Sequence, residues 1–117
     1  MADTLGKRIK GVRSERGLGL RETAGKVGIS STFLSRVEHG AEKAVPSEQV
    51  IRRLAKILGD DFDALMHLAG RIPSDVAKII LSDPVMPIFL RAARAQQLKA
   101  EDLMRLLGGR KKRSRGA

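Results

Sequence analysis

Ser31, Thr32, Ser35 and Arg36 stand in one short run of the chain, two adjacent pairs a helical turn apart. On an α-helix that spacing gathers all four on one face. Three hydroxyls and a guanidinium are short donors and acceptors plus one rigid fork, the groups that hydrogen-bond base edges and phosphate oxygens. These four are therefore the candidates for base reading. Arg36 can bond O6 and N7 of a guanine, a contact worth about 1–3 kcal/mol of discrimination, or it can clamp a phosphate. Phe33 is the odd member of the run; it either packs inward or touches a thymine methyl. Arg21 and Lys26 before the run, and Lys43 after it, are the candidates for backbone contacts.

Two helices joined by a tight turn would position such a face. Residues 20–38 read LRETAGKVGISSTFLSRVE. Ala24 is small enough to let a second helix come close. Gly28 suits a turn that needs positive φ, where a Cβ would be strained. Val27, Ile29, Leu34 and Val37 supply the apolar wedge between the helices. Ser30 is the natural N-cap of the second helix. Together these residues make the recipe of a helix-turn-helix, whose second helix lies outward for a DNA major groove.

The stretch from Leu5 to about Gly70 resembles the lambda-repressor/Cro-like, or Xre-type, helix-turn-helix family of prokaryotic and phage regulators. The residues that carry the likeness are LGKRIKGVRSERGLGLRETAGKVGISSTFLSRVEHG and the later PSEQVIRRLAKILGDDFDAL. The combined spacing of Ala24, Gly28, Ile29, Leu34, Val37, Glu38 and Gly40 is specific, although no single member of it is. The resemblance implies a compact five-helix domain, dimeric on a two-fold operator. It also implies that Arg13, late in the first helix, pairs with Glu38 at the end of the recognition helix; a guanidinium fork and a carboxylate can join bidentately. Two departures stand out. Gly19 and Leu20 occupy the start of the second helix, where many members carry a polar cap and a polar contact residue. Thr23 takes the place of a common leucine.

Charge agrees with a polyanionic partner. The 117 residues hold 23 Lys+Arg against 13 Asp+Glu, a formal net charge of +10 and a pI near 10.9. Residues 1–71 carry 13 basic and 9 acidic side chains, and all of that excess lies in residues 1–40, with eight against four. Residues 72–109 carry five against four, and residues 110–117 five against none. There is no cysteine, so disulfides and thiolate metal sites are excluded. No stretch approaches the roughly 20 apolar residues of a membrane span, and no signal-peptide core opens the chain. The expected location is the cytoplasm, on the nucleoid of a prokaryotic cell.

Periodicity and caps place the remaining helices. The first runs from about Thr4 to Arg16 on Leu5, Ile9 and Val12, the second from about Leu20 to Val27, and the third from about Ser31 to His39. The fourth spans about Ser47 to Leu58, and a short fifth follows Asp61 as cap and closes at Gly70. The fold class is all-α: a five-helix repressor-type DNA-binding domain over 1–71, a small C-terminal helical extension over 72–109 and a basic tail over 110–117. In the extension Ser74 is read as a cap over Val76, Ile79 and Ile80. A second helix starts at Pro84 or near Pro87, and a last one over about Ala100 to Leu107 buries Leu103, Leu106 and Leu107. So few residues bury little alone, so the extension either dimerises or extends the first core, with the fifth helix as the other candidate dimer surface. The tail, read as disordered, is a phosphate-contacting arm or a solubilising end, and it also has the look of a nuclear localisation signal.

These readings lead to a sequence-specific double-stranded DNA-binding transcriptional regulator, a repressor, acting as a homodimer. The alternative is a protein-interaction module, an antitoxin or the partner of an anti-repressor, in which DNA is secondary. Catalysis has little to stand on: His39 and His67 come with no metal-ligand spacing and no nucleophile arrangement. No metal and no cofactor are expected, and three Phe without Tyr or Trp furnish few stacking platforms for single strands.

Overall fold

The computed structural model describes residues 3–41 and 43–108. Eight α-helices and no strand occur among them: α1 Leu5–Glu15, α2 Leu20–Val27, α3 Ser31–Glu38, α4 Glu48–Leu58, α5 Phe62–Leu68, α6 Ser74–Ser82, α7 Met86–Ala95 and α8 Ala100–Leu107. The chain divides into two units, one ending at Ser74 and one starting at Asp75. The basic tail lies outside the described residues.

Each helix of the first unit begins where a side chain can take an orphan N–H. Thr4 Oγ1 accepts from Lys7 N at 3.1 Å, Ser30 Oγ from Phe33 N at 3.0 Å, Ser47 Oγ from Val50 N at 3.3 Å and Asp61 Oδ2 from Ala64 N at 2.8 Å. Caps of this kind are worth about 1 kcal/mol each. The exception is α2, which follows Gly19. There the Glu22 carboxylate accepts from Gly19 N at 3.3 Å, so one donor is met from inside the helix.

Periodic apolar residues then close a single core. Ile9 of α1, Val27 of α2, Leu34 of α3, Ile51, Leu54 and Leu58 of α4, and Leu65 and Met66 of α5 are all buried in it. Within it α1 packs on α3 and α4, α2 on α3 and α4, and α4 on α5. Thr23 is fully buried, and its Oγ1 has no hydrogen-bond partner.

Long-range polar contacts stitch this core from outside. Arg8 forks onto Asp60, Nε to Oδ2 at 2.8 Å and Nη2 to Oδ1 at 2.7 Å. That fork, with help from the Asp61 N–H, holds the Asp60 carboxyl below the usual carboxylate range against the opposing effect of burial. Arg53 Nη1 donates to Val27 O at 3.2 Å, and Arg71 Nε donates to Pro46 O at 2.8 Å. Ser74 is not the cap that its sequence context suggests. It is the first residue of α6, and its N–H and Oγ donate to Glu48 Oε1 and Oε2, both at 3.0 Å. Those bonds, with Arg52 at 3.2 Å, draw the Glu48 carboxyl below its ordinary value.

The second unit is built differently. Pro87 falls in the first turn of α7, where its missing N–H is harmless, and Asp83 turns the chain into that helix by accepting from Val85 N at 2.9 Å. Ala93 is the one residue of α6–α8 that is buried. Leu106 and Leu107, expected inside, are 79% and 52% exposed, while Leu103 is half-buried. The amphipathic pattern forms these helices, but much of their apolar side stays exposed among the described residues.

Candidate nucleic-acid interface

The interface is built around the turn after α2. Gly28 has φ +88° and ψ +31°, a left-handed conformation that L side chains rarely adopt. Gly28 N and Ile29 N both donate to Ala24 O, at 2.9 and 3.0 Å, and so close the end of α2. The chain extends through Ser30, at φ −75° and ψ +151°, and enters α3. Ala24, Val27, Leu34 and Val37 are buried between the two helices, with Ile29 and Phe33 packed against that cluster. Phe33 is thus an inward-leaning, half-buried side chain.

What α3 turns outward follows from what it buries. With Leu34, Val37 and Glu38 inside, Thr32 and Arg36 are exposed, and Ser31 and Ser35 are half-buried at the edges of the outward face. Arg21, Lys26 and Lys43 are also exposed. Lys26 lies 3.5 Å from Glu22 one turn earlier, a pair in which both side chains are half exposed. Arg21 and Arg36 take no part in the ion pairs found among the described residues.

Two features of α1 fix this helix in place. Arg13 Nε and Nη2 donate to Glu38 Oε2 and Oε1 at 2.8 and 2.9 Å, while Nη1 donates to Leu18 O at 2.9 Å. One guanidinium therefore ties the end of α3 to the loop before α2. The side chains are only 13% and 3% exposed, which makes this a desolvated pair rather than a surface one. The Glu38 hydrogen bond raises the Arg13 pKa above its ordinary value. The second feature is Gly6. A Cβ there would come closer than 3.0 Å to the carbonyl oxygens of Val37 and Glu38. Glycine is what lets α1 and α3 approach.

Gly6 escaped the sequence reading, although a glycine inside a helix costs about 1 kcal/mol relative to alanine and so hints at close packing. Arg8 and Asp60 escaped it too, because 52 residues separate them. Among the described residues no group of three His, Asp or Glu could hold a metal ion.

The match to known proteins follows this geometry. The model of the helix-turn-helix domain family fits residues 6–71. The chain belongs to that family. Its relatives include the HTH-type transcriptional repressor RghR of Bacillus subtilis, 33% identical over 70 residues, or 60% of this chain and 51% of the relative. Another is the HTH-type transcriptional regulator DdrOP3 of Deinococcus deserti, 32% identical over 88 residues, 68% of this chain and 66% of the relative. The chain thus spans about half the length of the first and 66% of the second. Among solved structures, a SinR protein/SinI protein complex superposes with a TM-score of 0.51 at 24% identity, over 95% of this chain and 98% of that one, a likeness of fold. No helix among the described residues is long and apolar enough to cross a membrane.

Proposed function

We propose that this chain is a sequence-specific double-stranded DNA-binding transcriptional regulator, a repressor, with α3 in the major groove. The observation that carries the reading is the outward face of α3. Hydroxyls and a guanidinium with no ion pair among the described residues project from a helix whose other side is locked by Arg13–Glu38 and by the Gly6 contact. Ser31, Thr32, Ser35 and Arg36 read bases; Arg21, Lys26 and Lys43 hold phosphates, with Lys26 leaving Glu22 to do so. The names of the relatives, a repressor and a regulator, support the same role. Catalysis, metal and cofactor have no part in it, and the protein works on the nucleoid in the cytoplasm.

The 72–109 region supplies the homodimer that a two-fold operator requires. Its support is the apolar surface left open on α6–α8, including Ile79, Ile88, Phe89 and Leu106. The same surface favours a second reading, a module that binds a protein anti-repressor or toxin, in which DNA is secondary.

A salt titration separates the two. Affinity is measured for DNA upstream of the protein's own coding region and for a scrambled duplex of equal length. A regulator holds its own DNA tighter throughout, with log K falling linearly in log salt at about 0.9 per neutralised phosphate. Equal affinities that collapse together would move the interaction-module reading to first place.

A further inference from the structure

Past the four base-reading candidates, α3 ends on His39, its C-cap. Seven residues after Thr32 and four after Ser35, His39 continues the outward strip by one turn, and it is exposed. Its ring is held. Nδ1 lies 2.7 Å from Ser35 O and 3.5 Å from Ser35 Oγ. A carbonyl oxygen can only accept, so Nδ1 carries a hydrogen and donates to Ser35. Ser35 O also accepts the His39 backbone N–H at 3.0 Å, and the ring bond leaves Nε2 as the atom with no hydrogen-bond partner among the described residues.

The chemistry of Nε2 depends on the proton. In the neutral ring it is an acceptor, which a phosphate oxygen repels; in the imidazolium both nitrogens donate. A cation at the end of a helix is favoured by the helix dipole. Recognition helices bring their N-terminal residues to base edges, so the residue that closes the helix meets the sugar-phosphate backbone. We propose that His39 is a further DNA-contacting residue: oriented by Ser35, it donates Nε2–H to a backbone phosphate as an imidazolium, and DNA binding takes up a proton there. This rests on the DNA-binding reading above.

The charge of a bound phosphate sets the sign. On α3 and in the turn beyond it the charged groups among the described residues include Arg36 and Lys43. From α2 come Arg21 and the Glu22–Lys26 pair, and from α1 Arg13, whose guanidinium is taken by Glu38. A phosphate at Nε2 favours the imidazolium over the neutral ring, so the extra affinity is present at the lower pH and is lost as pH rises.

The test uses the full chain and two duplexes, the protein's own upstream DNA and its scrambled counterpart, at fixed ionic strength near about pH 6 and about pH 8. Fluorescence anisotropy of the unsubstituted protein is expected to show roughly three- to tenfold tighter binding at the lower pH. His39→Ala loses that dependence and binds more weakly at the lower pH. His39→Lys, permanently charged, binds tightly at both values, and circular dichroism melts verify that both variants fold. The proposal is overturned if His39→Ala keeps the pH dependence, or if the unsubstituted protein prefers its own DNA with no pH dependence at all. The second outcome leaves the regulator reading standing, whereas no binding to either duplex overturns both.

Discussion

The turn between α2 and α3 and the turn between α7 and α8 are built alike. Each has a left-handed residue after the first helix, Gly28 at φ +88° and Gln97 at φ +60°. In each, the next amide reaches back to a buried alanine, Ile29 N to Ala24 O at 3.0 Å and Leu98 N to Ala93 O at 2.9 Å. In each an extended residue, Ser30 or Lys99, leads into an eight-residue helix. Leu34 and Val37 follow the first turn at the spacing at which Leu103 and Leu106 follow the second. The difference is in what surrounds them. Val37 is 3% exposed under α1 and Leu106 is 79% exposed. The outward chemistry differs as well: the first turn of α8 carries Glu101 and Asp102, which a phosphate backbone repels, and that of α3 carries no acid. A shared turn geometry thus makes neither a core nor a DNA-reading surface. The covering helices make the first, and the outward side chains make the second that we propose for α3.

If cover is what distinguishes the two, cutting the tie between α1 and α3 should make the first turn behave like the second. Arg13→Met removes the guanidinium and strands the Glu38 carboxylate where it is nearly buried. Losing one partner of such a pair costs about 3–5 kcal/mol. The expected outcome is a matching drop in the urea-unfolding free energy, with hydrogen-exchange protection in α2 and α3 falling toward that in α7 and α8. Protection left unchanged in α2–α3 would mean that the turn stands by its own geometry, and the comparison would fail.

A smaller effect distinguishes the units by pH. Arg8–Asp60 joins the ends of the first unit, whereas the ion pair found within α6–α8 is the local, exposed Asp102–Arg105. The Asp60 carboxyl is depressed in the folded protein, so its contribution is full above the unfolded value of about 4 and is lost as pH falls through the folded value. Urea midpoints of the first unit should therefore decline on acidification below about pH 4. Asp60→Asn should lower the unfolding free energy at neutral pH by about 1–2 kcal/mol, allowing for the partial exposure of Arg8, and should flatten the acid limb. An acid limb as steep in the variant would assign it to other carboxylates.

Local signals were legible in the sequence, and contacts across the fold were not. Ser30 and Asp61 announce their helices because a cap acts within three residues, and Gly28 announces its turn because only φ is at stake. Gly6 matters through the carbonyls of Val37 and Glu38, which no local pattern reveals. Ser74 looked like a cap and instead bonds Glu48, a partner 26 residues away. The apolar stripe of α8 was readable, but a stripe says which side wants cover and not what supplies it. The same holds at the interface. Spacing put Ser31, Thr32, Ser35 and Arg36 on one face, while the orientation of His39 depends on one carbonyl bond to Ser35.

The finest comparison exchanges the residues at the two left-handed positions. Gly28→Gln puts a side chain where φ is +88°, at a cost of about 1–2 kcal/mol. The Cβ itself meets only Arg53 Nη1, at an ordinary 3.4 Å, so nearly all of that cost is backbone strain. Gln97→Gly relieves the same strain but loosens the unfolded chain by about 0.5–1 kcal/mol, leaving a gain of a few tenths to about 1 kcal/mol. The first change should lower the urea midpoint of α1–α5, and the second should slow amide exchange in α7 and α8 alone. The two effects then differ in sign and in place but share one origin. If Gly28→Gln proves neutral, the likeness of the turns is superficial, and the glycine is held there by something other than its φ.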